Sequence, residues 1–370
     1  MDMNNYEYTK KIKEEIFIKF IKIGISAMII FFLIGGPVFF ESYKTEVKET
    51  EEKKEGWKGV ITIWDYPYYS KESATQYGWL REKIRKFEKE NKGIFVEFKP
   101  MDKERGLAEI KAAAKIGGLP DIAPIGSDKE ILAMGLLESF EEEKENYVPG
   151  VQGVISYQNT VYGIPRLINP VIMLLNVEEN FNSQDTLNNE TLEALITSLK
   201  DGKILYNQAA MLSLSLEKNR DKPLVDEILI KGQNSNKSQI KKAIEGGSFT
   251  IILCDSMALT EHFHMLDNNS QYRIINFMMD EAYIHGECIA YGIFRQDNPE
   301  KLQMCRKLVK ELTSEEEQKN LYQYNAFSIS RHLDSLYDKN SDMGKLEHGV
   351  KRLDKKFINA LYEADRVTLK

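Results

Sequence analysis

Cysteine is scarce in this chain. There are three, Cys254, Cys288 and Cys305, and no two of them stand in a Cys-x-x-Cys spacing. A small odd number of that kind excludes a disulfide framework; reduced, buried thiols are the default, with one bridge as the alternative. An excess of positive charge is also missing: 50 Lys and Arg face 57 Asp and Glu, for a formal net charge of -7. Without a basic patch, nucleic-acid binding has no electrostatic support. No His-Glu-x-x-His, nucleophile elbow, P-loop or Gly-x-Gly-x-x-Gly occurs, so an enzymatic reading has almost nothing to stand on. His262 and His264 are two apart, as are His285 and Glu287, and in a helix such pairs do not share a face for a metal. Gly246-Gly247 precedes a strand-like run and is not a phosphate loop. No cofactor and no metal are expected.

Long uncharged runs are rare too, with one exception. From Ile23 to Phe40, IGISAMIIFFLIGGPVFF, there is no charged residue, and Lys10, Lys11, Lys13, Lys19 and Lys22 precede it. Eighteen helical residues cover about 27 Å, close to the ~30 Å hydrocarbon core of a bilayer. The lysines predict that residues 1–22 stay in the cytoplasm and that the remainder is exported. A cleavable signal peptide is the rival reading. The run lacks an Ala-x-Ala site, and no cysteine follows it that could accept a lipid, so the anchor over 23–40 is preferred. Residues 41–56 then form a charged spacer, with six Glu and four Lys between Glu41 and Glu55. Such a run cannot bury enough surface to fold.

The body begins near Trp57 and, at a little over 300 residues, is long enough for two domains. VITIW (60–64), IFVEF (94–98) and DIAPI (121–125) read as strands covered on both faces. Helices over 74–91, through Leu107, Ile110 and Ala114, and up to Met134 alternate with them. Gly93, Gly117, Gly118 and Gly135 stand where these helices stop. This βαβαβ order demands a mostly parallel sheet with right-handed crossovers. Ligands of open α/β sheets bind beyond the carboxyl ends of strands, so the loops after Trp64 and Ile125 are the first places to look. Further on, 300–312 has helical spacing, and Ser314-Glu315-Glu316-Glu317 reads as a capping box. The segment 332–370 reads as a charged helical run burying Leu346, Val350, Leu353, Phe357 and Leu361.

Several blocks, in order, carry a resemblance. They are VITIWDYPYYS with WLREKIRKFEKENKGIFVEFKPM, AEIKAAAKIGGLPDIAPIGSD, KEILAMGLLESF, TVYGIPRLINPVIMLLNVEENF, IEGGSFTIILCDSMAL and CIAYGIFRQDNPEKLQMCRKLVKELTSEEEQKNL. Together they resemble the extracytoplasmic solute-binding proteins of ABC importers, in the sugar- and oligosaccharide-binding, maltose-binding-protein-like branch. The resemblance implies an α/β, two-lobed, periplasmic-binding-protein-like (type II) fold with hinge strands, here preceded by one N-terminal transmembrane helix. Lobe 1 would comprise 57–166 plus 287–330, and lobe 2 would comprise 167–286 plus 331–370. Closure about such hinges is a recognised motion. A monomer on the outer face of the cytoplasmic membrane would hold a sugar-like ligand and deliver it to ABC permease subunits. The alternative is an anchored sensory receptor that passes occupancy to a signalling partner. Only 69 residues separate Asn176 from Gly246, fewer than is usual in that branch, which predicts a smaller or remodelled pocket.

Candidate ligand contacts follow from position and chemistry. Tyr66, Tyr68 and Tyr69 lie just beyond the first strand, and their rings suit the C–H faces of a sugar; packing tyrosines are the plain alternative. Asp128 and Lys129 follow the third strand, where a carboxylate accepts from adjacent hydroxyls or caps the next helix. Trp64 is a platform or a core residue. Arg166 and Asn169 follow the crossing Pro165 and reach inwards or pack the hinge. Asp255 and Ser256 cap a helix whose N-terminus faces the cleft.

Overall fold

The alternation read from the first third of the body folds as expected. The structure, a computed structural model, describes residues 17–26, 28, 57–67, 77–102, 105–125, 129–140, 147–148, 151, 155–177, 189–199, 203–208, 210–211, 213–214, 223–262, 266, 271–276, 283–352 and 356–359. Residues 1–57 and 58–370 are two separate units. In the first, residues 17–26 are helical, and Phe17, Phe20 and Ile23 are exposed. The expected anchor over 23–40 lies largely outside the described residues. Among the described residues no helix is long and apolar enough to cross a membrane.

The second unit starts with β1 (Gly59–Asp65), α1 (Gly78–Glu90), β2 (Ile94–Pro100), α2 (Gly106–Ile116), β3 (Ile122–Pro124) and α3 (Lys129–Ala133). β1 pairs in parallel with both β2 and β3. Leu80, Ile84 and Phe87 form the buried stripe of α1, and the ring of Tyr77 meets Phe98 at 5.0 Å. Gly117 caps α2 in the left-handed conformation, at φ 73, where a Cβ would be strained. The Asp of the Gly-Leu-Pro-Asp block is structural: Asp121 Oδ2 accepts from the Thr62 amide at 2.7 Å, and its carboxylate pairs with Lys301 at 2.7 Å.

A short hairpin, β4 (Ser156–Tyr157) and β5 (Thr160–Val161), leads into β6 (Ile164–Asn176). All thirteen residues of β6 are buried, because the strand runs through both halves of the sheet. Its first half pairs with β11 (Tyr283–Ile293), and its second half pairs with β9 (Ile251–Asp255) and β10 (Tyr272–Asn276). Beyond β9 lie β7 (Ile204–Tyr206) and β8 (Gly232–Asn234), in the order β2-β1-β3-β11-β6-β9-β7-β8. The sheet is therefore two parallel-rich wings joined by two long antiparallel strands.

The shortened stretch after Asn176 still builds a core. Helices α4 (Asn189–Ser198), α5 (Pro223–Lys231) and α6 (Lys237–Gly246) flank β7 and β8. Leu195, Ile196, Val225 and Ile228 bury against Val171, Met173, Ile251 and Leu253. α6 begins with a true capping box, Asn236 with Gln239.

Two expectations fail here. α7 (Pro299–Leu312) is followed by α8 (Glu315–Lys319), and Ser314 makes no side-chain cap bond. Glu317 is not free to complete a box, because it accepts from the Trp79 indole and pairs with Lys83. The charged tail is not one helix either. α9 (Asp342–Arg352) buries Leu346 and Val350, but Phe357 belongs to a strand, β12 (Lys356–Asn359), parallel to the start of β11. A free neighbour for that strand is a long-range property that helical spacing cannot reveal.

Candidate functional site

Two polar clusters form where the wings meet. The first is built on Asp65, the last residue of β1. Period two along the strand sends Trp64 and Asp65 to opposite faces. Asp65 is fully buried, and a buried carboxylate needs partners. The Tyr291 hydroxyl of β11 donates to its Oδ2 at 2.5 Å. Arg166 Nη1 of β6 donates to that same hydroxyl at 3.1 Å and lies 3.6 Å from Asp65 Oδ2. The guanidinium stacks on the Trp79 ring at 3.8 Å, a favourable cation–π geometry. Burial, with Asp65 adding to it against Arg166, holds the Tyr291 phenol well above its ordinary range, so it acts as a donor.

Gln318 ties this cluster to a third pass of the chain. Its Nε2 donates to Arg166 O at 2.6 Å, and its Oε1 accepts from Ser328 Oγ and the Ile329 amide at 2.9 and 3.1 Å. Residues near Phe327 bridge to Ile168 of β6. Trp79, Arg166, Leu312, Glu317, Gln318, Leu321 and Tyr324 line a recess too narrow to admit water. In this conformation the cluster is packed shut.

The second cluster centres on Asn169, three residues further along β6. Its Nδ2 donates to Asp255 Oδ1 at 3.0 Å and lies 3.4 Å from Glu287 Oε2. Asp255 Oδ2 also accepts from Asn207 Nδ2 at 2.8 Å. Asn169 Oδ1 accepts from the Met257 amide at 3.1 Å. The single proton of the Ser256 hydroxyl faces Asn169 Oδ1 at 3.0 Å and Asn325 O at 2.6 Å. Asp255 caps the next turn through the Ala258 amide at 3.2 Å, but that turn is a seven-residue 3₁₀ helix, Ser256–His262, not an α-helix.

Of the predicted residues, Arg166, Asn169, Asp255 and Ser256 converge at the junction and are all buried. Tyr66 is buried beside them; its amide donates to Asp65 Oδ1 at 2.9 Å. A Cβ on Gly106 would stand 2.5 Å from Met101 Cε and 2.8 Å from the Tyr66 ring, so a side chain there would have to displace both. Trp64 lies on the opposite face, half-buried, with the Lys99 ammonium 3.8 Å from its ring centre. Lys129 opens α3. Tyr68, Tyr69 and Asp128 lie outside the described residues. Sequence reasoning passed over Asp65, Tyr291, Trp79, Gln318 and Asn207. Asp65 alone offered a signal: a carboxylate at a strand's carboxyl end, hidden beside a run of tyrosines.

Among the described residues no group of three or more His, Cys, Asp or Glu could hold a metal. The three thiols are free and buried. Burial raises all of them, Cys305 to about 12, and a thiol held protonated is a poor nucleophile.

The fold is the two-lobed α/β fold of ABC-importer substrate-binding proteins. Similar solved structures include the sugar-binding protein MalE from Xanthomonas citri, with TM-score 0.63, 14% identity and coverage of 84% of this chain and 89% of that one. The galacto-N-biose-/lacto-N-biose I-binding protein of Bifidobacterium longum is similar at TM-score 0.62 and 12% identity, with 85% and 91% covered. A eukaryotic thiaminase-I shares the fold at TM-score 0.60 and 13% identity, with 84% and 99% covered. Identities this low show the fold alone, and most of these neighbours are binding proteins, not enzymes. No protein-family model and no curated protein matches the sequence.

Proposed function

We propose that this chain binds a sugar or oligosaccharide between the two wings and delivers it to an ABC importer. The observation that carries the reading is the convergence of buried polar side chains from β1, β6, β9 and β11 on the strands that cross from one wing to the other. A hinge of that kind lets two halves close on a solute. On this reading Tyr68 and Tyr69, which follow β1 in the sequence, supply ring faces to the ligand, and Asp128 and Lys129, which follow β3, supply charged hydroxyl partners. Lobe 1 is 57–166 with 287–330, and lobe 2 is 167–286 with 331–370. The sugar-binding proteins that share the fold favour transport; no observation favours a sensory role.

The run over 23–40 anchors a monomer at the outer face of the cytoplasmic membrane, and the spacer over 41–56 gives the body reach. A thermal-shift screen of the detergent-solubilised full chain over mono- and oligosaccharides tests the ligand class, because a ligand that binds only the native state raises Tm. A sugar that raises Tm in proportion to its concentration supports the reading. A panel in which no sugar acts, while a peptide or polyamine does, contradicts it.

A further inference from the structure

One buried side-chain amide at the junction has no hydrogen-bond partner among the described residues. Asn325 ends the 3₁₀ helix Asn320–Tyr324 in the left-handed conformation, at φ 52. Its residue is 1% exposed, yet neither Oδ1 nor Nδ2 has a hydrogen-bond partner among the described residues. Glycine would meet the backbone requirement without any polar group to desolvate, whereas an unpaired buried amide is costly. The position of that amide is specific. Its own carbonyl faces Ser256 Oγ at 2.6 Å, in the Asn169–Asp255 cluster. The preceding residue, Tyr324, lines the recess beside Arg166 and Trp79, and its carbonyl faces Thr260 Oγ1 at 2.9 Å. Asn325 thus sits on the seam that the Ser256–His262 turn closes against the third pass of the chain.

We propose that the Asn325 amide is a ligand-contacting, specificity-determining group of the cleft. Opening the seam breaks the Ser256 and Thr260 contacts and uncovers it. An amide presents one acceptor and two donors side by side, which matches a pair of neighbouring hydroxyls on a carbohydrate. This assignment rests on the carbohydrate-binding reading above. Its cost in the unliganded protein is the counterpart of its gain with ligand.

The test is Asn325→Gly in the detergent-solubilised full chain, which keeps the left-handed backbone and removes only the amide. Calorimetric titrations use maltotriose and lacto-N-biose as probes, alongside the Tm of the unliganded variant. The expected result is affinity reduced about tenfold or more, with the unliganded Tm unchanged or raised. Affinity within twofold of the parent overturns the proposal and leaves carbohydrate binding standing. An unliganded Tm lowered by more than glycine's added unfolded-state freedom accounts for also overturns it, because the amide then has an internal partner. If neither probe binds the parent chain, the carbohydrate reading fails and takes this assignment with it.

Discussion

The Tyr291 hydroxyl donates to Asp65 Oδ2 at 2.5 Å, joining the far end of β11 to the end of β1 inside a fully buried site. Arg166, from the other crossing strand, completes the group. These three residues link the first wing to both strands that lead out of it. Removing one member leaves the others desolvated. Arg166→Leu is expected to lower stability by about 3 kcal/mol or more, the usual cost of breaking a buried ion pair. Tyr291→Phe removes a hydrogen bond to a charged group and costs about 2 kcal/mol. Urea unfolding measures both; losses below 1 kcal/mol in each would contradict the buried network.

Gly286 tests the fit of the crossing strands from the backbone side. A Cβ there would lie 2.6 Å from Asn169 O and 2.7 Å from Pro170 Cα. Backbone atoms of a central strand cannot step aside as a flexible side chain does. Gly286→Ala is therefore expected to destabilise the chain by about 2 kcal/mol, in the range of overpacked cores. An unchanged unfolding midpoint would mean the strands are further apart than the structure has them.

His262 makes stability depend on pH. Burial is the largest cause holding its pKa below the ordinary 6.5; Lys241 and Lys237 add to this, and Glu261 and Glu245 oppose it. The unfolded chain therefore binds the proton more tightly. The contribution is fully present above the unfolded value and is lost as pH falls through the folded one. Urea midpoints measured from pH 7.5 downwards, values chosen to span the ordinary histidine range of about 6.5, should show this loss. His262→Gln should flatten it. An equally steep loss in the variant would assign the effect to other groups.

Much of the frame was legible because its signals are local. VITIW, IFVEF and DIAPI became β1 to β3 with small changes of boundary, and Gly117 and Gly135 adopt positive φ. Pro165 and Asn176 do bracket one crossing strand. The tail misled because helical spacing through Phe357 is compatible with a strand once β11 offers a partner. The site was half legible. Arg166, Asn169, Asp255 and Ser256 were expected at the junction, but the hydrogen bonds that build the site join residues up to 226 positions apart. Such pairings leave no periodicity to read, which is why Tyr291 and Gln318 went unseen.

The anchor has its own test. If the run over 23–40 is the anchor proposed above, deleting residues 1–40 moves the chain from the membrane fraction to the soluble one. A truncated chain that still sediments with membranes would require another attachment.

The central claim is that a carbohydrate binds at the junction of the wings. Isothermal titration of the full chain with maltotriose, then lacto-N-biose, tests it most directly. The account predicts a saturable one-site isotherm for at least one probe, weakened about tenfold by Asp128→Ala, a loss of about 1.4 kcal/mol. Flat titrations with both sugars, from a chain whose unfolding is cooperative, would contradict it.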